Sequence, residues 1–244
     1  MSLRPTILVL LCLLACAVGC STGSKGTGEG VVLFIHGAGG DGGWYSGIEQ
    51  GLRDAGEKRT IRSVHWGMPG PMFVMNFNDR GVHERAERTL AEVIARAKTA
   101  PIDLVAHSAG CGATLGALAQ LPPDVHVRHI VLLSPSVSPT YDLKRALVHV
   151  ESIDVFTSTN DTTFLKWRCS TFGTYDGVKT VAAGNCGFDV STLSPAEQAK
   201  VHQHAWTEAD KDLGNDGGHF GPTARKFVAA RVSPVVSGGA SPTP

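Results

Sequence analysis

Ile102-Asp103-Leu104-Val105-Ala106-His107-Ser108-Ala109-Gly110 is the stretch from which this chain is best read. Ile102 to Ala106, apolar apart from Asp103, reads as a buried strand, and Ala109 to Leu121 reads as a small-residue helix stopped by Pro122 and Pro123. A serine on so sharp a strand-to-helix turn is pushed out above the sheet with its hydroxyl exposed, and its neighbours must be small. Ala106, Ala109 and Gly110 meet that demand. Ala106 stands where such turns usually carry glycine, a change that matters only if the backbone there needs a positive φ. Taken alone, the same five residues also fit a helix N-cap serine.

Outward from that turn, strands and helices alternate. Strands are expected at 31–35, 60–66, 102–106, 127–133, 154–157 and 201–206, and helices at 44–55, 84–98, 109–121, 141–150 and 222–231. The 84–98 helix carries Ala86, Leu90, Val93 and Ala97 on one face, with Glu84 and Arg88, and Glu92 and Arg96, spaced to pair along the other. Alternation of this kind argues an α/β fold, a mostly parallel sheet flanked by helices on both faces. The short 133–154 connection argues against a separate cap domain, and the irregular stretch 164–193 is the only room for an elaboration.

Two glycine-rich loops and one carboxylate complete a constellation with Ser108. His36-Gly37-Ala38-Gly39-Gly40 follows the first body strand. Such a loop brings a backbone N–H close to a developing oxyanion, where removing one donor costs about 3–4 kcal/mol. The N–H groups of Ala109 and Ala38 are the expected donors, with Gly39 the alternative to Ala38. A dinucleotide-binding reading is disfavoured, because no helix opens directly after the glycines. Gly217-Gly218-His219-Phe220-Gly221 places a histidine on a glycine-flanked loop, suited to a general base. Asp161 follows the strand ending at Thr157 and is the expected acid orienting it. Asp154 is expected at that strand's other end in a capping or surface role, and Asp210, Asp212 and Asp216 are weaker candidates.

In chain order the glycine loop, Ser108, Asp161 and His219 each follow an expected strand or fall late in the chain. This order resembles the α/β-hydrolase superfamily over about residues 31–231, in particular small cap-less bacterial esterase- or lipase-like proteins. The resemblance implies Ser108 as nucleophile, His219 as base, Asp161 as acid, and hydrolysis of carboxylic esters or thioesters through an acyl-serine intermediate. It implies no cofactor and a small-molecule acyl ester as the partner. Amide or peptide hydrolysis on the same fold, or a non-catalytic envelope binding protein, are the rival readings. Met68, Met72 and Phe73 belong to an apolar loop that either lines an acyl pocket or packs on the core.

The ends read separately. Arg4, the apolar run from Thr6 to Ala15 and the following small residues match a signal peptide over 1–20, too short to span a membrane. Ala17-Val18-Gly19-Cys20 resembles a bacterial lipobox, with Cys20 as the lipidated residue; Leu13-Leu14-Ala15-Cys16 is the competing match. The expectation is export across the inner membrane, as a periplasmic or outer-membrane lipoprotein anchored through Cys20. A flexible tether (21–30), one domain (31–232) and a disordered tail (233–244) would follow. Cys169 and Cys186 could bridge a loop or remain thiols, and Cys111 is expected only to pack. The 22 basic residues equal the 22 acidic ones, so charge makes no case for nucleic acid. No metal is expected; His202 and His204 share a strand face but lack a spaced ligand set.

Overall fold

The structure, a computed structural model, describes residues 20–21, 24–40, 43, 45–97 and 101–238. The expected signal sequence, residues 1–19, lies outside them, as does the side chain of Cys20. Six strands run parallel: Val31–Ile35 (β1), Thr60–Val64 (β2), Ile102–His107 (β3), Val127–Leu133 (β4), Val150–Thr157 (β5) and Val201–Ala205 (β6). Their order across the sheet is β2-β1-β3-β4-β5-β6, and the two-residue segment Cys20–Ser21 pairs antiparallel along the outer edge of β2.

Each central strand is apolar on both sides, because each side meets helices. Leu33, Ile35, Leu104 and Ala106 share one core with Leu90 and Ile94 of the helix Arg80–Arg96 (α2) and Leu115 and Leu118 of the helix Ala109–Leu118 (α3). Val32, Phe34, Val105 and Val131 point the other way, onto Ile48 and Leu52 of the helix Ser46–Asp54 (α1) and onto Phe227, Val228 and Val232 of the helical run 225–236. This period of two, buried on both faces, is what a parallel sheet requires. Every residue of α3 is buried, and its small side chains permit close approach: a Cβ on Gly112 would lie 2.3 Å from the ring of Tyr175.

Several boundaries differ from the sequence expectation. α2 starts at Arg80, earlier than expected, because Asp79 caps it by accepting the Val82 N–H at 2.9 Å. Glu92 pairs with Arg96 at 3.5 Å, while Glu84 pairs back to Arg80 at 3.7 Å. The expected helix 141–150 is reduced to Lys144–Leu147, and Val150 already pairs with Val127. Asp154 consequently sits inside β5, fully buried, and accepts a hydrogen bond from His204 Nε2 at 2.8 Å; it has no surface role.

The expected tether and tail are both packed where described. Arg53 reaches the Ser24 carbonyl at 3.2 Å, and the Gly28 N–H donates to the Lys58 carbonyl at 3.0 Å. Ser233–Val236 is helical with Val235 and Val236 buried. The reason lies in a buried charge cluster at the opposite edge of the sheet from Ser108. Asp103 receives Arg59 and Arg128, the latter at 2.5 and 3.1 Å, and both guanidinium groups also donate to the Val236 carbonyl, at 2.8 and 3.1 Å. The final helical run is thereby tied to the start of β3. Residues 239–244 lie outside the described part.

Candidate active site

The chain winds outward in both directions from β1, to β2 on one side and β3 on the other, so the sheet has a switch point between β1 and β3. A crevice opens there, beyond the C-terminal ends of the strands. The glycine loop leaves β1 into this crevice and Ser108 leaves β3 into it.

Ser108 holds φ 56° and ψ −125°, a conformation costing about 1–3 kcal/mol for a residue with a side chain. The surroundings hold it there: its N–H donates to the Leu133 carbonyl at 3.0 Å, and its carbonyl accepts from Cys111 at 3.1 Å and Ser136 at 3.2 Å. Ala106 remains in β3 without a positive φ, so alanine is tolerated at that position. Gly110 has no such latitude, since a Cβ there would lie 2.2 Å from the His36 carbonyl oxygen. Close contact of α3 with the loop after β1 thus demands the glycine.

Asp161 and His219 meet Ser108 from the far end of the chain. Asp161 Oδ1 accepts the N–H groups of Phe164 and Leu165, at 3.1 and 3.2 Å, at the start of a wide helical turn, Thr162–Arg168. Its other oxygen faces the imidazole, and His219 Nδ1–H donates to Oδ2 at 2.6 Å. A carboxylate only accepts, so the second ring nitrogen carries a lone pair, and the Ser108 hydroxyl donates to Nε2 at 2.8 Å. All three expected residues are therefore in one hydrogen-bonded line. Asp161 and His219 are both buried, and the Phe164 ring stacks on the imidazole with centroids 4.6 Å apart. Such an arrangement can remove a proton from a serine hydroxyl as it attacks and keep the resulting imidazolium paired.

Several supporting residues were not singled out in the sequence. His107 donates Nε2–H to the His219 carbonyl at 2.8 Å, and its Nδ1 accepts from the Tyr45 hydroxyl at 3.1 Å. The Tyr45 oxygen in turn accepts the Gly37 N–H at 3.2 Å. One chain of hydrogen bonds thus joins the glycine loop to the histidine loop. Complete burial, reinforced by the neighbouring charge of His219, holds the His107 ring well below the usual imidazole range, so it stays neutral. Asn76, also buried, donates to the Ala38 carbonyl at 2.9 Å and accepts the Met68 N–H at 2.6 Å, fixing the glycine loop from outside. Asn185 donates to the carbonyls of Ser158 and Asp161, at 3.1 and 3.2 Å, and so fixes the acid's loop. Only His107 carried a sequence signal, its place beside Ser108.

A cavity of about 210 Å³ collects these elements. Ala38, Ser108 and His219 line it together with Phe73, Phe77, Phe164, Leu165 and Arg168. Of the three residues expected at a pocket, Phe73 is in its wall. Met68 packs against the core, and Met72 is exposed to solvent outside the cavity wall. Asp210 instead caps a turn through Thr207, and Asp216 bonds the Gly218 N–H. Cys111, Cys169 and Cys186 are free thiols; burial pushes Cys169 up to about 11. Among the described residues no group of three or more candidate ligands could hold a metal ion, and His204 is engaged by Asp154.

A family model described as alpha/beta hydrolase family matches residues 32–237. The chain belongs to the alpha/beta hydrolase family. At that level it is a hydrolase. A sequence search of curated proteins finds no match. Among solved structures, this hydrolase is similar to carboxylesterase CesB from Bacillus subtilis, at 11% identity and a TM-score of 0.51, over 89% of this chain and 87% of that one. Aspergillus fumigatus lipase B aligns at 14% identity and a TM-score of 0.52, over 89% of this chain and 55% of the lipase. The ydeN gene product of B. subtilis aligns at 18% identity and a TM-score of 0.50, over 85% of this chain and 99% of that one. At these identities the likeness concerns the fold alone.

Proposed function

We propose that this alpha/beta hydrolase is a serine hydrolase that cleaves small carboxylic esters or thioesters through an acyl-serine intermediate. The observation carrying the reading is the unbroken line from Asp161 through His219 to Ser108, ending in a cavity that the glycine loop also lines.

In the proposed reaction Ser108 Oγ attacks the substrate carbonyl while its proton passes to His219 Nε2. Asp161 stabilises the imidazolium without taking the proton itself. The carbonyl oxygen, now negative, is held by the N–H groups of Ala109, at the start of α3, and Ala38, in the loop whose carbonyl Asn76 secures. Collapse breaks the bond to the leaving group, and His219 returns the proton to the departing alcohol or thiol. Water then repeats the sequence on the acyl-serine, releasing the acid and restoring the serine. The tautomer that His219 already holds, with Nδ1–H on Asp161, is the one this cycle begins from.

The variant Ser108→Ala tests it. Turnover of short p-nitrophenyl esters should fall by at least about 10³-fold, with the denaturation midpoint unchanged or raised. Full activity in the variant would place the chemistry elsewhere.

A further inference from the structure

Arg168 lies at the end of the Thr162–Arg168 turn and in the wall of the same cavity as Ser108. Its guanidinium carbon is 4.1 Å from the centre of the Phe77 ring. The other walls are glycine, alanine, aromatic and aliphatic side chains, hydroxyls, a thiol and two imidazoles, so among the described lining residues Arg168 alone carries a permanent charge. The acids with electrostatic reach into this corner are already engaged. Asp161 is held by His219 and two backbone N–H groups; Asp176 accepts from Ser138 and Thr174. Arg168 forms no ion pair with any described carboxylate. The Phe77 ring steadies the cation by its π face but supplies no counter-ion.

A guanidinium without a counter-ion in an apolar cleft is matched by a substrate that brings one. We infer that Arg168 is a specificity-determining residue, and that the preferred substrates are short esters bearing a second, free carboxylate, the half-esters of small dicarboxylic acids. The fork of N–H donors fits a planar carboxylate through two parallel bonds. The cavity, about 210 Å³, is below the range for drug-sized ligands, which favours a short spacer between ester and carboxylate. This inference rests on the serine-hydrolase reading of the site and names its substrate class.

The test pairs ethyl hydrogen succinate, glutarate and adipate with the neutral ethyl esters of equal chain length, following acid release by titration. For wild type, kcat/KM should favour the charged member of at least one pair. In Arg168→Gln that charged-to-neutral ratio should fall by about 10–100-fold, chiefly through KM, as expected for loss of a charge-assisted contact. Arg168→Lys should recover part of it, keeping the charge but not the fork. Because both esters are measured on each protein, a merely structural effect of the substitution lowers both and leaves the ratio alone. Turnover with no preference for the charged ester, or a ratio indifferent to Arg168→Gln, would overturn the inference and leave the hydrolase reading standing. Absence of turnover on every ester would overturn the serine-esterase reading and the inference with it.

Discussion

Asp161 divides its two carboxylate oxygens between separate tasks. One oxygen is fixed by two backbone N–H groups, so the other is delivered to His219 in a single orientation. An amide in its place can present either a carbonyl or an NH₂ group to the imidazole, and the tautomer that leaves Nε2 free is no longer enforced. Asp161→Asn is therefore expected to keep the fold and lose about 10⁴-fold in kcat. A pH–rate profile of the variant beside wild type checks this. An unchanged kcat at neutral pH would remove Asp161 from the mechanism. His107 acts at the same scale but through the backbone of His219; as a buried neutral ring it fixes that loop without adding charge beside the base.

Among the elements, the strand-turn-helix around Ser108 was legible because its constraints are local. A buried strand needs apolar residues, and a tight turn needs small ones, and both demands are written in consecutive positions. The strands at 31–35 and 127–133 were legible for the same reason. The region around 150 was less so. Val150, Glu151, Ser152 and Ile153 are a strand because β4 lies beside them, and a short alternating segment carries too weak a period to show this unaided. The sequence alone therefore sets Asp154 at a strand end, whereas its side chain is buried against His204. The wide turn Thr162–Arg168 could not be read either, since its first N–H groups are satisfied by Asp161, whose side chain also serves the histidine. Arg168, at the end of that turn, was invisible for a related reason: nothing in its sequence neighbourhood shows that Phe77, far earlier in the chain, will lie against it.

The whole molecule is held at two opposite edges of one sheet. Beyond the C-terminal ends of the strands lies the crevice with Ser108, Asp161 and His219. Near the opposite ends, Asp103 gathers Arg59, Arg128 and, through them, the carbonyl of Val236. This second cluster explains why the chain stays ordered past residue 232 where composition alone predicts a loose tail. Its members are 44 and 25 residues from Asp103, and no spacing rule links them. Removing the carboxylate leaves Arg128 without its counter-ion and Arg59 with Glu57 alone, the two guanidinium groups still side by side. Asp103→Ala is expected to lower stability by about 3–5 kcal/mol, read from urea denaturation, while the folded fraction retains its turnover number. A change below about 0.5 kcal/mol would show that the cluster does not hold the final helical run.

Hydrolysis by this route requires Ser108 to be the activated nucleophile, and covalent labelling reads that property without choosing a substrate. Treated with a fluorophosphonate and digested, the wild-type protein should carry a single adduct, on the peptide containing Ser108, with no adduct in Ser108→Ala and much slower labelling in His219→Ala. An unlabelled wild type, or an adduct that survives in Ser108→Ala, would contradict it.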